Sequence, residues 1–384
     1  MSPPALATVD LPGARNRVTA ALDDLDAGRS VVLVFADRAT ESGVADEVLR
    51  EIEGAAAHTQ WCVEAGKEFP VRVLESFDAG AADISTYASW NRIVGWPTWQ
   101  GEWLFLTSWE HDDVPTLLER WPAQLKASGL GTEDRPRLVI GVTVAEVTPA
   151  MLDRVDTGEV AVHWWWGAVD RLDTELCVAV HEHAKYRDSL EKAVLAELVC
   201  WDVDSLDFLS SRWDGSTDTV VPLIAELRRL RDESGDAFTL ASAFRAHQSR
   251  PPKESLEGWR RGRIERWGGA PRLGPVDYSE AEIRRRLWVA HSRILMPVVD
   301  DERAKYEEMF DSLATADLMD RNREKGGGLI EIGILKDLAV RKRVRVRPED
   351  EEALCRLTTL RNRLAHRDPA TDELISFVRK RYEL

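Results

Sequence analysis

Apolar residues are arranged differently in the two halves of the chain. In the first half they form short runs: Ser30–Phe35 (SVVLVF), 71–75 (VRVLE), 102–107 (EWLFLT), 137–142 (RLVIGV) and 159–164 (EVAVHW). Runs rich in β-branched residues, with little polar alternation, predict strands buried on both faces. Helical spacing fills stretches between them, as at 43–53 and 114–127. The pattern therefore predicts an α/β domain built on a mostly parallel five-stranded sheet covered by helices. The period then turns helical at 188–199, 205–211 and 219–233.

From Tyr278 onward the spacing is helical to the end. Ile283, Leu287, Ala290, Ile294 and Leu295 mark a helix over 280–296, and Pro297 permits a kink before 298–313. Gly326, Gly327 and Gly328 break the chain, and Leu329, Ile332, Leu335, Leu338 and Ala339 mark the next helix. Pro348 followed by Glu349, Asp350, Glu351 and Glu352 predicts a helix start, with carboxylates facing the positive end of the dipole. That helix runs through Leu354, Leu357, Leu360 and Leu364 to His366, where Asp368 and Pro369 stop it. A last short helix follows over 371–382.

Five glycines and four prolines fall within 249–275, without a clean apolar period. This predicts a boundary and gives four parts: an α/β domain (1–187), a helical extension (188–250), a linker (251–276) and an all-α bundle (277–384). No internal repeat suggests a solenoid.

A chain of 384 residues is too long for one ordinary core, which agrees with more than one domain. No apolar run approaches the roughly 20 residues a membrane helix needs, and the first ten residues lack the basic start and apolar stretch of a secretory signal. The four cysteines are scattered without a C-x-x-C pair, which fits a reducing cytoplasm better than a disulfide framework or zinc ribbon. The net charge of −16 is unevenly placed: residues 251–384 hold 28 Lys/Arg against 25 Asp/Glu, and the first 250 hold 23 against 42. Only the C-terminal part has an electrostatic case for a phosphate-bearing partner.

Five strands followed by helices resemble the layout of P-loop ATPases of the AAA and STAND type. That fold needs a G-x-x-x-x-G-K-[ST] loop after its first strand. Here Gly43 stands at the second glycine, Val44 replaces the lysine and Ala45 the hydroxyl residue, while Asp37 and Glu41 would repel a polyphosphate. Glu110 is the nearest acid after the third run and comes late for a magnesium ligand. The resemblance implies an inactivated STAND-like module without ATPase activity or cofactor. An unrelated α/β domain remains the alternative.

Trp164, Trp165 and Trp166 end the fifth run. Successive strand residues face opposite ways, so at least one ring should be exposed and available to a protein partner. The alternative is that all three fill gaps between sheet and helices. His181 and His183 would share one side of a strand, but no third ligand is evident, so no metal site is expected.

Arg361, Asn362 and His366 fit the pattern R-[polar]-x-x-x-H in RNRLAH, near the end of a helix in a bundle. Together with the leading helix (RRRLWVAHSRILMPVVDDERAKY) and GLIEIGILKDL, this resembles a HEPN domain fused to STAND-like proteins of bacterial conflict systems such as phage defence or toxin–antitoxin pairs. The chemistry suits metal-independent RNA cleavage. An imidazole can move the proton of a 2′-hydroxyl, and an arginine offers forked donors to the phosphate. In that assignment Arg361 holds the phosphate, His366 is the acid–base group and Asn362 orients one of them. Arg341, Lys342, Arg343, Arg345, Arg347 and Arg363 would hold the RNA strand. Five residues turn an ideal helix by about 140°, so Arg361 and His366 do not converge within one chain. The resemblance implies a homodimer in which two motifs line one cleft.

Other readings stay open at this stage. A histidine in the last turn of a helix is favoured by the dipole alone, and HEPN-like bundles also serve as RNA-binding modules. A non-enzymatic adaptor would bind a protein through the tryptophan-rich domain and dimerise through the bundle.

Overall fold

A computed structural model describes residues 8–63, 66–231, 238, 240, 249–325 and 328–382. The chain divides into two compact units, and each is discontinuous. The first comprises Met1–Asp173 and Ala237–Gly274, the second Thr174–Asp236 and Pro275–Leu384.

The apolar runs of the first unit build its sheet. Strands β1 (Ser30–Phe35), β2 (Thr59–Trp61), β3 (Trp103–Thr107), β4 (Arg137–Thr143) and β5 (Val160–Trp164) lie in the order β2-β3-β4-β1-β5, every pair parallel. Every residue of β1, β3 and β4 is buried, as expected for strands covered on both faces. The run 71–75, expected as a strand, instead lies in the helix Phe69–Ser76. Pro70 sits in its first turn, and Phe69, Val73 and Leu74 form its buried stripe. The fifth strand is Thr59–Trp61, a short piece with no apolar run to announce it.

The segment 251–276, expected as a linker, is structured. It forms the helix Leu256–Arg260 and an antiparallel hairpin of β6 (Ile264–Trp267) and β7 (Ala270–Leu273). Gly268 and Gly269 both adopt positive φ (59° and 77°) at its two-residue turn, as a hairpin with the twist of its strands requires. Trp259 and Ile264 are buried in the core that also holds Val32, Val34 and Trp164.

This corrects the expectation for the tryptophan run: Trp164, Trp165 and Trp166 are all buried. The rings do face different ways, but each side is covered. Trp164 and Trp166 pack on Trp259, with centroids 5.6 and 6.4 Å apart, and Trp165 packs on Phe35 at 5.7 Å. No exposed tryptophan surface is formed by these three.

The second unit is helical. Ser189–Val199, Leu206–Arg212 and Val220–Leu230 belong to it, together with Glu280–Leu313, Ala316–Lys325, Ile332–Val340, Pro348–Ala365 and Asp372–Arg381. Of the stretch expected as a separate extension (188–250), the part up to Asp236 therefore belongs to the C-terminal unit and the rest to the first, and Leu190 joins the bundle's core. Glu280–Leu313 continues through Pro297 as one 34-residue helix. Gly326 and Gly327, expected as a chain break, lie outside the described residues.

A buried polar cluster ties Glu280–Leu313 to Ser189–Val199. The fully buried Arg286 donates through Nε to Glu282 (2.9 Å) and through Nη1 to the Glu197 carbonyl (2.8 Å), and also reaches the Cys200 thiol. Its guanidinium lies 4.2 Å from the Tyr278 ring centroid, and the Tyr278 hydroxyl donates to the Leu198 carbonyl (3.0 Å). Burial pushes the Cys200 thiol up, although Arg286 opposes it. No helix among the described residues is long and apolar enough to cross a membrane.

Candidate functional site

Sequence positions the helix Pro348–Ala365 at both ends. At the start, buried Asp350 accepts from Arg347 (2.9 Å) and pairs with Arg381 (3.2 Å). Burial pushes its carboxyl up, but the hydrogen bond and charge of Arg347, with Arg381, hold it below the usual range. Ala353, Leu354, Leu357, Leu360 and Leu364 form the buried stripe. At the finish, Arg367 takes a left-handed conformation (φ 62°), the Asp368 N–H bonds the Arg363 carbonyl (2.9 Å) and the Arg367 N–H bonds the Leu364 carbonyl (3.1 Å). This is a Schellman end with arginine where glycine is usual.

His366 is the last capping residue of this helix and is exposed, as is Asn362 one turn before it. Among the described residues neither side chain makes a hydrogen bond or ion pair. Arg361 is half-buried and pairs with Glu331 at 3.4 Å, with side-chain exposures of 38% and 64%. Such an exposed pair contributes little to stability and yields readily to a phosphate. The structure thus places Asn362 and His366 on one edge, with Arg361 rotated away as the helical spacing predicts.

The basic run is not brought to this edge. Arg341, Lys342, Arg343, Arg345 and Arg347 are exposed in the segment before the helix starts. Lys342 pairs with Glu351 and Arg347 with Asp350. Arg347 and His366 cap opposite ends of the helix, about 28 Å apart along its axis. Only Arg363 of the expected strand-holding residues lies at the motif end.

Different residues meet there instead. Arg284 Nη2 and Arg363 Nη2 approach the two oxygens of Asp368 at 2.9 and 3.1 Å. The Arg367 guanidinium lies 5.9 Å from the Trp288 ring, and Trp288 Nε1 donates to the Leu364 carbonyl (2.6 Å). Three guanidinium groups against one carboxylate leave a net positive edge beside His366. Arg284 and Trp288 come from the leading helix, whose Arg-Arg-Arg-Leu-Trp string was the available signal. Its exposed Arg284 and buried Arg286 were not separable from periodicity alone. Behind this edge, buried His291 accepts from the Ala370 N–H at Nδ1 (3.0 Å), and burial pushes its pKa down to about 4.

In the first unit, the place of a phosphate loop is taken by the short helix Asp37–Glu41 after β1. The N–H groups of Ala39, Ser42 and Gly43 bond the carbonyls of Ala36, Arg38 and Thr40 at 2.9 to 3.1 Å. Burial raises the Asp37 carboxyl's pKa; Arg260 opposes this, and Glu41, Glu146 and Glu257 add to it. Glu110 accepts from the Thr107 hydroxyl (3.1 Å).

His181 and His183 lie in the turn after the helix Arg171–Val180 rather than on a strand, with their ring centroids 5.8 Å apart. Among the described residues, no group of three ligating side chains is placed to hold a metal ion.

Comparison with known proteins returned no match: no family model, no curated protein and no solved structure is similar to this chain.

Proposed function

We propose that the C-terminal unit is an RNA-binding effector that cleaves RNA without a metal, as a homodimer, in the manner its HEPN-like motif implies. The observation that carries this reading is the exposed, unengaged imidazole of His366 beside Asn362, on an edge with Arg284, Arg363 and Arg367.

In the proposed reaction the RNA 2′-hydroxyl attacks the adjacent phosphorus. His366 of one copy takes the hydroxyl proton, Arg361 holds the phosphate as its charge develops, and the 5′-oxygen leaves with a proton from the second imidazole. The products are a 2′,3′-cyclic phosphate and a 5′-hydroxyl end. The first unit would act as a sensor or partner-binding module without ATPase function in a conflict or phage-defence system. Trp164, Trp165 and Trp166 are buried and do not supply a partner surface.

The test is cleavage of single-stranded RNA by the full chain in EDTA, with product ends identified. Wild type should cut, and His366→Ala and Arg361→Ala should each lose at least a hundredfold in rate. Equal activity in wild type and both variants would remove the catalytic assignment.

A further inference from the structure

A second feature, in the first unit, carries an independent inference. Beyond the carboxyl end of β5, beside the helix Pro12–Asp26, lies a cavity of about 440 Å³ into which Arg17 and Arg266 both point. Arg17 donates one N–H to the Trp166 carbonyl (2.8 Å). The Arg266 guanidinium has no hydrogen bond or ion pair among the described residues. Gly167, with φ 69°, makes room for it: a Cβ there would stand 2.4 Å from Arg266 Nε.

Asp170 and Asp173 line the same cavity, and their oxygens, like those of Glu265, accept from N–H groups of the fold. Glu265 accepts from the N–H groups of Gly167 (2.7 Å) and Arg266 (2.9 Å) and from Trp259 Nε1 (3.1 Å). Asp173 accepts from the N–H groups of Gly13 (3.0 Å) and Asp170 (2.7 Å), so the start of the helix is already capped by a carboxylate. Asp170 accepts from the N–H groups of Arg171 (2.7 Å) and Gly268 (2.6 Å).

Two like charges held at one half-buried cavity repel, and an anion between them relieves the repulsion. Burial, then the charge of Arg266, pulls the Arg17 pKa down, and the charge of Glu265 opposes both.

We infer that Arg17 and Arg266 form a binding site for a phosphate monoester. The forked donors of the two guanidinium groups match the oxygens of a phosphate. The cavity exceeds what inorganic phosphate fills and leaves room for the body of an ester.

The test is thermal unfolding of the full chain at constant ionic strength, with inorganic phosphate, adenosine monophosphate and acetate as probes. Saturating adenosine monophosphate should raise Tm by about 5–10 °C at one hundred times Kd, and acetate should not. Phosphate also stabilises proteins non-specifically, so the variants are decisive. Arg266→Gln and Arg17→Met should abolish the ester-dependent rise. Arg266→Gln, which removes no bond of the fold, should unfold no earlier than wild type without ligand. An equal rise in Arg266→Gln, or none in wild type, would overturn the site. A rise with inorganic phosphate but none with the ester would overturn the monoester assignment.

Discussion

Trp288 Nε1 donates to the carbonyl of Leu364 at 2.6 Å, a bond from the 34-residue helix to the last turn of the motif helix, two residues before His366. The same carbonyl also accepts from the Arg367 N–H, so it keeps a partner if the indole is lost. Trp288→Phe preserves the ring and removes the donor. It should cost about 1 kcal/mol in urea unfolding and broaden the His366 imidazole NMR signals. Unchanged stability and signals would show that the bond does not order the helix end.

Arg367 occupies a left-handed position that glycine adopts without strain. Arg367→Gly should therefore hold or raise stability, by up to about 1 kcal/mol, while lowering affinity for single-stranded RNA. Arg284→Ala should also weaken binding, and each change should reduce the slope of log K against log salt by about 1. Arg345→Ala, at the far end of the helix, should leave both nearly unchanged. If Arg345→Ala is the damaging change, RNA lies along the 341–347 run instead.

The buried His291 predicts an acid-sensitive bundle. Its pKa is about 4 in the folded chain, against about 6.5 unfolded. Burial is the main cause; Asp372 opposes it and Arg379 adds to it. The unfolded chain takes the proton first, so this contribution is complete above about pH 6.5 and is lost as pH falls toward 4. At full extent it amounts to about 3 kcal/mol. His291→Asn retains an acceptor for the Ala370 N–H without titrating. The difference in unfolding free energy between wild type and variant should vary across this window, and a constant difference would refute the assignment.

Trp259 supplies a test of the segment 251–276. As part of a linker it would tolerate truncation within about 0.5 kcal/mol. Buried against Trp164 and Trp166, and bonded to Glu265, it should cost about 3–5 kcal/mol as Trp259→Ala, read from urea unfolding of the first unit.

These outcomes bear on what the sequence reveals. SVVLVF and RLVIGV announce β1 and β4 because uninterrupted β-branched runs have one stable use, in a sheet covered on both faces. The run at 71–75 shows the ambiguity of short apolar stretches: the same residues make a helical stripe once Pro70 opens a helix. Thr59–Trp61 pairs through its backbone, which leaves almost no mark on side-chain pattern. The glycines and prolines near 251–276 were legible as turns, but Trp259 and Trp267 were the stronger signal, since buried rings anchor a segment. Helix spacing gave the angle between Arg361 and His366. The approach of Arg284 to Asp368 depends on tertiary packing and was not legible.

The chain's path through its two units bears on its synthesis. All five strands of the sheet have been made by Trp164, yet Trp259 and Ile264, which close its core, follow only after Ser189–Val199, Leu206–Arg212 and Val220–Leu230 of the other unit. At ribosomal rates that interval is on the order of 5–20 s. Meanwhile Ser189–Val199 must wait for Glu280–Leu313, whose Arg286 completes its polar cluster. Neither unit is complete when the other begins, so a nascent chain carries two open cores at once. Both cores close late in synthesis, and a chain stalled near residue 250 should be a chaperone client or a protease substrate.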